Sequence, residues 1–115
     1  MFDVDGSDKR RTQRYGIEQD VTVVRDGVEV VGVTHNISLG GIKLRVDLEP
    51  PPRIGDRLSI SIKIPKLEQP LRADAEVRWR DNVDKATIGV QFLTGFRAKE
   101  TWALGQFLEA HGRAE

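Results

Sequence analysis

Three arginines near the start of the chain, Arg10, Arg11 and Arg14, carry side chains suited to gripping an anion. A guanidinium is planar, forked and always charged, so it can close two hydrogen bonds on a phosphate or on the O6/N7 edge of a guanine. With Lys9, the run Lys9-Arg10-Arg11-Thr12-Gln13-Arg14-Tyr15 concentrates four cations in seven residues. A second group is Asn36-Ile37-Ser38-Leu39-Gly40-Gly41. Its amide can accept from guanine N–H groups, and its hydroxyl can donate or accept. Its glycines allow positive φ or a close approach to a ligand. Taken singly, neither group is diagnostic. Charge runs are usually solvated, and Asn, Ser and Gly are turn formers.

The intervening sequence is built to hold such groups on strands. Val21 to Val24 reads as a strand, Asp26-Gly27 as a two-residue hairpin turn, and Val28 to Thr34 as the returning strand. Ile42 to Val46 resumes the alternation after the Asn-Ser-Gly turn, and Glu49-Pro50-Pro51-Pro52 is a loop because proline cannot donate to a ladder. Arg57 to Ile64 alternates strictly, which puts Leu58, Ile60, Ile62 and Ile64 on one buried face. Leu71 to Trp79 alternates again, and Ala86 to Phe92 supplies a last strand. From about Arg97 to His111 the period turns helical, through Ala103, Leu104, Phe107 and Leu108, with Gly112 at the expected cap. The expectation is an all-β fold, a six-stranded antiparallel β-barrel with a C-terminal α-helix, since no βαβ alternation occurs. Residues 1–8 are expected to be a flexible acidic leader, 9–112 the domain and 113–115 a tail.

Bulk composition narrows the classes of function. The chain has 115 residues, 38% hydrophobic and 31% charged, enough for one domain with a core. Its 18 Lys and Arg balance 18 Asp and Glu, so an anion site must come from a local cluster and not from overall charge. There are no cysteines, hence no disulfide or thiolate metal site. No apolar run approaches the roughly 20 residues that span a bilayer, so the expected location is the cytoplasm, without membrane insertion.

The two polar groups acquire meaning through their order. RxxxR at Arg10–Arg14, then about 20 residues of hairpin, then (D/N)xSxxG at Asn36–Gly41, resembles the PilZ domain family. The likeness continues through Gly55-Asp56, Glu76-Val77-Arg78-Trp79 and Ile88-Gly89-Val90-Gln91-Phe92, and so covers residues 9 to 111. It implies a receptor for the bacterial messenger cyclic di-GMP, without catalysis and without a cofactor. Arg10 and Arg14, with Arg11 helping, would grip phosphates and guanine edges. Asn36 and Ser38 would hydrogen-bond the ligand, and Gly41 would supply backbone geometry. Lys9, Gly40 and Trp79 are accessory candidates. A cation at Lys9, just before RxxxR, favours a stacked pair of nucleotides. The arm around residues 8–16 is expected to close over the ligand and present a surface to an effector protein, in motility, pilus or exopolysaccharide control.

Other readings are weaker. A nucleotide-independent interaction module on the same barrel is the alternative, and the intact motifs count against it. A single-stranded nucleic-acid binder would need exposed aromatics for stacking, and the chain has only seven aromatics. Trp79 and Trp102 are expected to pack in the core. His35 and His111 are too far apart in sequence to suggest a metal site, and no catalytic constellation stands out.

Overall fold

The computed structural model describes residues 13–115; the leader and Lys9, Arg10 and Arg11 lie outside the described residues. A two-residue strand, β1 (Tyr15–Gly16), comes first, then β2 (Asp20–Arg25) and β3 (Val28–Ile37). Asp26 and Gly27 join the latter two with φ of 51° and 80°, the left-handed pair that a twist-matched two-residue hairpin requires. β4 (Gly41–Arg45), β5 (Arg57–Ile62), β6 (Leu71–Arg80) and β7 (Thr87–Phe92) follow, then helix α1 (Ala98–His111) and a short β8 (Arg113–Ala114).

Six strands close on themselves in the order β2-β5-β6-β7-β4-β3, every pairing antiparallel, with β2 bonded to both β3 and β5. The expected barrel with its C-terminal helix is therefore the observed one. Closure leaves no barrel edge unpaired. Alternation drives it: Leu58, Ile60, Ile62 and Ile64 are each no more than 2% exposed, and Val21, Val23, Leu44, Val77 and Ile88 meet them inside. At roughly 1.5–3 kcal/mol for each such side chain buried, these residues supply most of the drive to fold.

Helix α1 joins the core through Ala103, Leu104 and Leu108. The Glu100 carboxylate accepts from the Arg97 backbone N–H at 3.0 Å, satisfying a donor at the helix start. Trp102 departs from expectation. It is 56% exposed, with the Lys66 ammonium 5.0 Å from its ring centroid. Two residues of α-helix correspond to about 200° of rotation, so Trp102 faces away from Leu104. Arg113 and Ala114, read from the sequence as tail, instead pair with β1 at Gly16 and Tyr15. Among the described residues no helix is long and apolar enough to cross a membrane.

Candidate functional site

The polar residues converge on the outer face of the barrel, along a row of directly opposed positions. Gly16 of β1 faces Asn36 of β3, Asn36 faces Lys43 of β4, Lys43 faces Gly89 of β7, and Gly89 faces Trp79 of β6. At about 4.8 Å per strand the row spans roughly 19 Å.

Two β-bulges put the key side chains there. Thr34 is fully buried, so strict alternation would send Asn36 inward as well. The β3–β4 register slips between Thr34 and Asn36, His35 is the extra residue, and Asn36 emerges on the outer face. The same happens in β6. Val77 is buried, the register with β7 slips before Trp79, and the indole emerges 43% exposed. The core placement expected for Trp79 is therefore corrected. The residue needed no partner inside the barrel because an extra residue, Arg78, inverted its phase.

Around the row lies a shallow depression of about 170 Å³ lined by Arg14, Asn36, Lys43, Trp79 and Gly89. Arg14 Nη1 donates to Asn36 Oδ1 at 2.8 Å, joining groups 22 residues apart in sequence. The Lys43 ammonium sits 5.1 Å from the Trp79 ring centroid, across side-chain-free Gly89. The result is an exposed indole with one ammonium over its ring and a guanidinium in the same depression, a cation-rich surface suited to an anion. A larger hollow of about 1150 Å³ is lined by residues of β1, of the end of α1 and of β8 with Glu115. Its walls include His35, Phe107 and His111 but neither Arg14 nor Asn36, so size and chemistry point to different places. The guanidinium, the ammonium and the indole gather at the smaller one.

The remaining turn residues act from behind. Ser38 is 1% exposed. Its hydroxyl accepts from the N–H groups of Gly40 and Gly41, both at 3.1 Å, and lies 3.2 Å from the Gly41 carbonyl as donor. Ser38 thus fixes the turn that carries Asn36 and β4. Gly41 is not in a positive-φ conformation; a Cβ there would collide with the Val90 carbonyl oxygen of β7. The glycine is required by strand-to-strand approach. Gly40 contributes its carbonyl to the Phe92 N–H at 2.9 Å.

Of the expected site residues the structure thus brings Arg14, Asn36 and Trp79 together at the surface and sets Ser38, Gly40 and Gly41 beneath them. Arg10, Arg11 and Lys9 lie outside the described residues. Sequence reasoning missed Lys43, although Ile42 and Leu44 point inward and leave it facing out. It also missed Glu115, whose carboxylate Oε1 accepts from Asn36 Nδ2 at 3.3 Å; nothing in the local pattern marks that residue.

A family model described as PilZ domain matches residues 8–110. No curated protein matches the chain by sequence. Among solved structures, the Bacillus subtilis inhibitor of motility (MotI/DgrA) superposes with a TM-score of 0.68 at 22% identity, over 89% of this chain and 50% of that one. The chain thus spans about half the length of that protein. The PilZ domain of CeSA from a cellulose-synthesising bacterium superposes with a TM-score of 0.63 at 17% identity, over 86% of this chain and 97% of that domain. At these identities the two structures bear on the fold.

Proposed function

The chain belongs to the PilZ domain family, and on that premise we propose that it is a non-catalytic receptor for cyclic di-GMP, read out in the cytoplasm by an effector protein. The observation that carries the reading is the 2.8 Å bond between Arg14 and Asn36, one residue from each motif, beside the exposed Trp79 face. Arg14 offers a fork to a phosphate or to a guanine O6/N7 edge. The Asn36 amide offers both a donor and an acceptor to a guanine. Trp79 supplies an exposed aromatic face for a base, and Lys43, whose ammonium sits over the same ring, supplies a charge.

Arg10, Arg11 and Lys9 complete the grip from the arm, which folds over the nucleotide and creates the surface the effector reads. Lys9 favours a stacked pair of nucleotides over one. Ser38, Gly40 and Gly41 position the others. Motility, pilus assembly and exopolysaccharide synthesis are the outputs to examine.

Calorimetric titration of cyclic di-GMP into the wild type, Arg14→Ala and Asn36→Ala tests the assignment, with GTP and an oligonucleotide as controls. A charge-assisted hydrogen bond contributes about 1.5–3 kcal/mol, so Arg14→Ala should weaken binding roughly ten- to a hundredfold. The barrel should stay folded, since the Arg14 side-chain bond is at the surface. A wild type that ignores cyclic di-GMP, or an Arg14→Ala protein that binds it equally well, would refute the reading.

A further inference from the structure

The Asn36 amide is engaged at both ends: its oxygen by Arg14 and its nitrogen by the Glu115 carboxylate. Glu115 is carried there by β8, which adds to β1 outside the closed barrel. Two further hydrogen bonds and a strand pairing anchor the segment to the base of the arm. The Glu115 N–H donates to the Arg14 carbonyl at 3.0 Å, the Gln13 side-chain amide donates to the Glu115 carbonyl at 2.9 Å, and Tyr15–Gly16 pairs with Arg113–Ala114. The Glu115 side chain reaches Asn36 by crossing Gly16, where a Cβ would lie 2.9 Å from Glu115 Oε2. The absence of a side chain at Gly16 therefore keeps the path open.

We propose that Glu115, the residue that follows β8, is a built-in competitor for the anion site, a latch that must leave Asn36 before a nucleotide phosphate or guanine can take its place. The inference rests on the receptor reading above. A carboxylate holding the Asn36 donor occupies the bond an incoming ligand needs and repels a phosphate approaching Arg14. The latch is also cheap to open. Arg113, Ala114 and Glu115 are all exposed, and a two-residue strand held by solvent-exposed bonds belongs to the least stable part of a fold. Ligand binding thereby couples to release of β8, and the freed segment changes the surface beside α1 that a partner meets. The apparent affinity is the intrinsic affinity multiplied by the fraction of molecules in which the latch is open.

Cyclic di-GMP is titrated by calorimetry into the full chain, into Glu115→Gln, into Gly16→Ala and into a chain ending at Gly112. Gly16→Ala displaces the far end of the Glu115 side chain while leaving the carboxylate present, so it guards against a truncation that merely misfolds. The latch predicts affinities roughly three- to tenfold tighter in all three variants. It also predicts that the Glu115 amide exchanges its hydrogen faster once the full chain is saturated. Equal or weaker affinity in the variants, or unchanged exchange at Glu115, overturns the latch and leaves the receptor reading standing. Absence of binding in every variant overturns both.

Discussion

Trp79 and Gly41 show how differently two site-associated residues can matter. The Trp79 indole is 43% exposed, so its removal leaves no core cavity. Stacking of a base on an aromatic face is worth about 1–3 kcal/mol. Trp79→Ala should therefore weaken cyclic di-GMP roughly five- to a hundredfold, with Trp79→Phe in between and the urea midpoint of both near wild type. Gly41 behaves in the opposite way. An added Cβ meets the backbone of β7 and not a flexible side-chain end, so Gly41→Ala must prise β4 from β7. Overpacking of this kind costs about 1–3 kcal/mol, measurable as a lowered urea midpoint in the absence of ligand. A Gly41→Ala protein as stable as wild type would mean that β4 and β7 do not approach as described.

At the level of elements, what the sequence reveals and what it hides divide along periodicity. Arg57–Ile62 and the first half of Leu71–Arg80 alternate cleanly, and the burial follows them residue by residue. The six barrel strands and the helix are legible for that reason. The two bulges are not, because an inserted residue leaves no mark in a pattern of apolar and polar types. The alternation of Leu71 to Val77, carried on unbroken, therefore points Trp79 to the wrong face. β1 and β8 are two residues each and too short to show any period, which hid Glu115 altogether. Two predictions belong here. In α1, Gly105 has nothing within 4 Å of where a Cβ would stand, so Gly105→Ala should stabilise the protein by about 1 kcal/mol and raise the melting temperature by a few degrees. In the β6–β7 connection, Asp84 Oδ2 accepts from the Thr87 hydroxyl at 2.8 Å and from Arg45 Nε at 3.1 Å, and Oδ1 accepts from the Ala86 N–H at 3.1 Å. The Thr87 bond above all, then the Ala86 bond and the Arg45 charge, hold this carboxyl below the usual aspartate range. The unfolded chain takes up that proton more readily. The stabilisation is thus complete above the ordinary aspartate pKa and is lost as pH falls below it. Urea midpoints taken between neutral and strongly acidic pH should decline less steeply in Asp84→Asn than in wild type; an identical slope would exclude Asp84 as a contributor.

For the whole molecule, the division of labour is between a closed barrel and a decorated outer surface. The core residues of β2 and β5 do not line the depression that holds Arg14, Asn36 and Trp79, so substitutions among them can change stability without altering the residues proposed to meet a ligand. Binding still feeds back on stability by mass action. Cyclic di-GMP at about a hundred times its dissociation constant should stabilise the fold by about 2.7 kcal/mol, a shift of several degrees or more in thermal melting, while GTP at the same concentration should do far less. Equal shifts from both nucleotides would argue for loose anion binding. The pairing of β1 with β8 has a further architectural consequence. It sets Tyr15 beside Ala114, so the polypeptide comes into the barrel and departs from it at the same doorstep. A unit with adjoining ends can be spliced into a host protein, or carry a neighbour on either side, without straining its own geometry. Whatever is tethered at that doorstep stands beside Arg14 and Asn36, the pair proposed to receive the nucleotide.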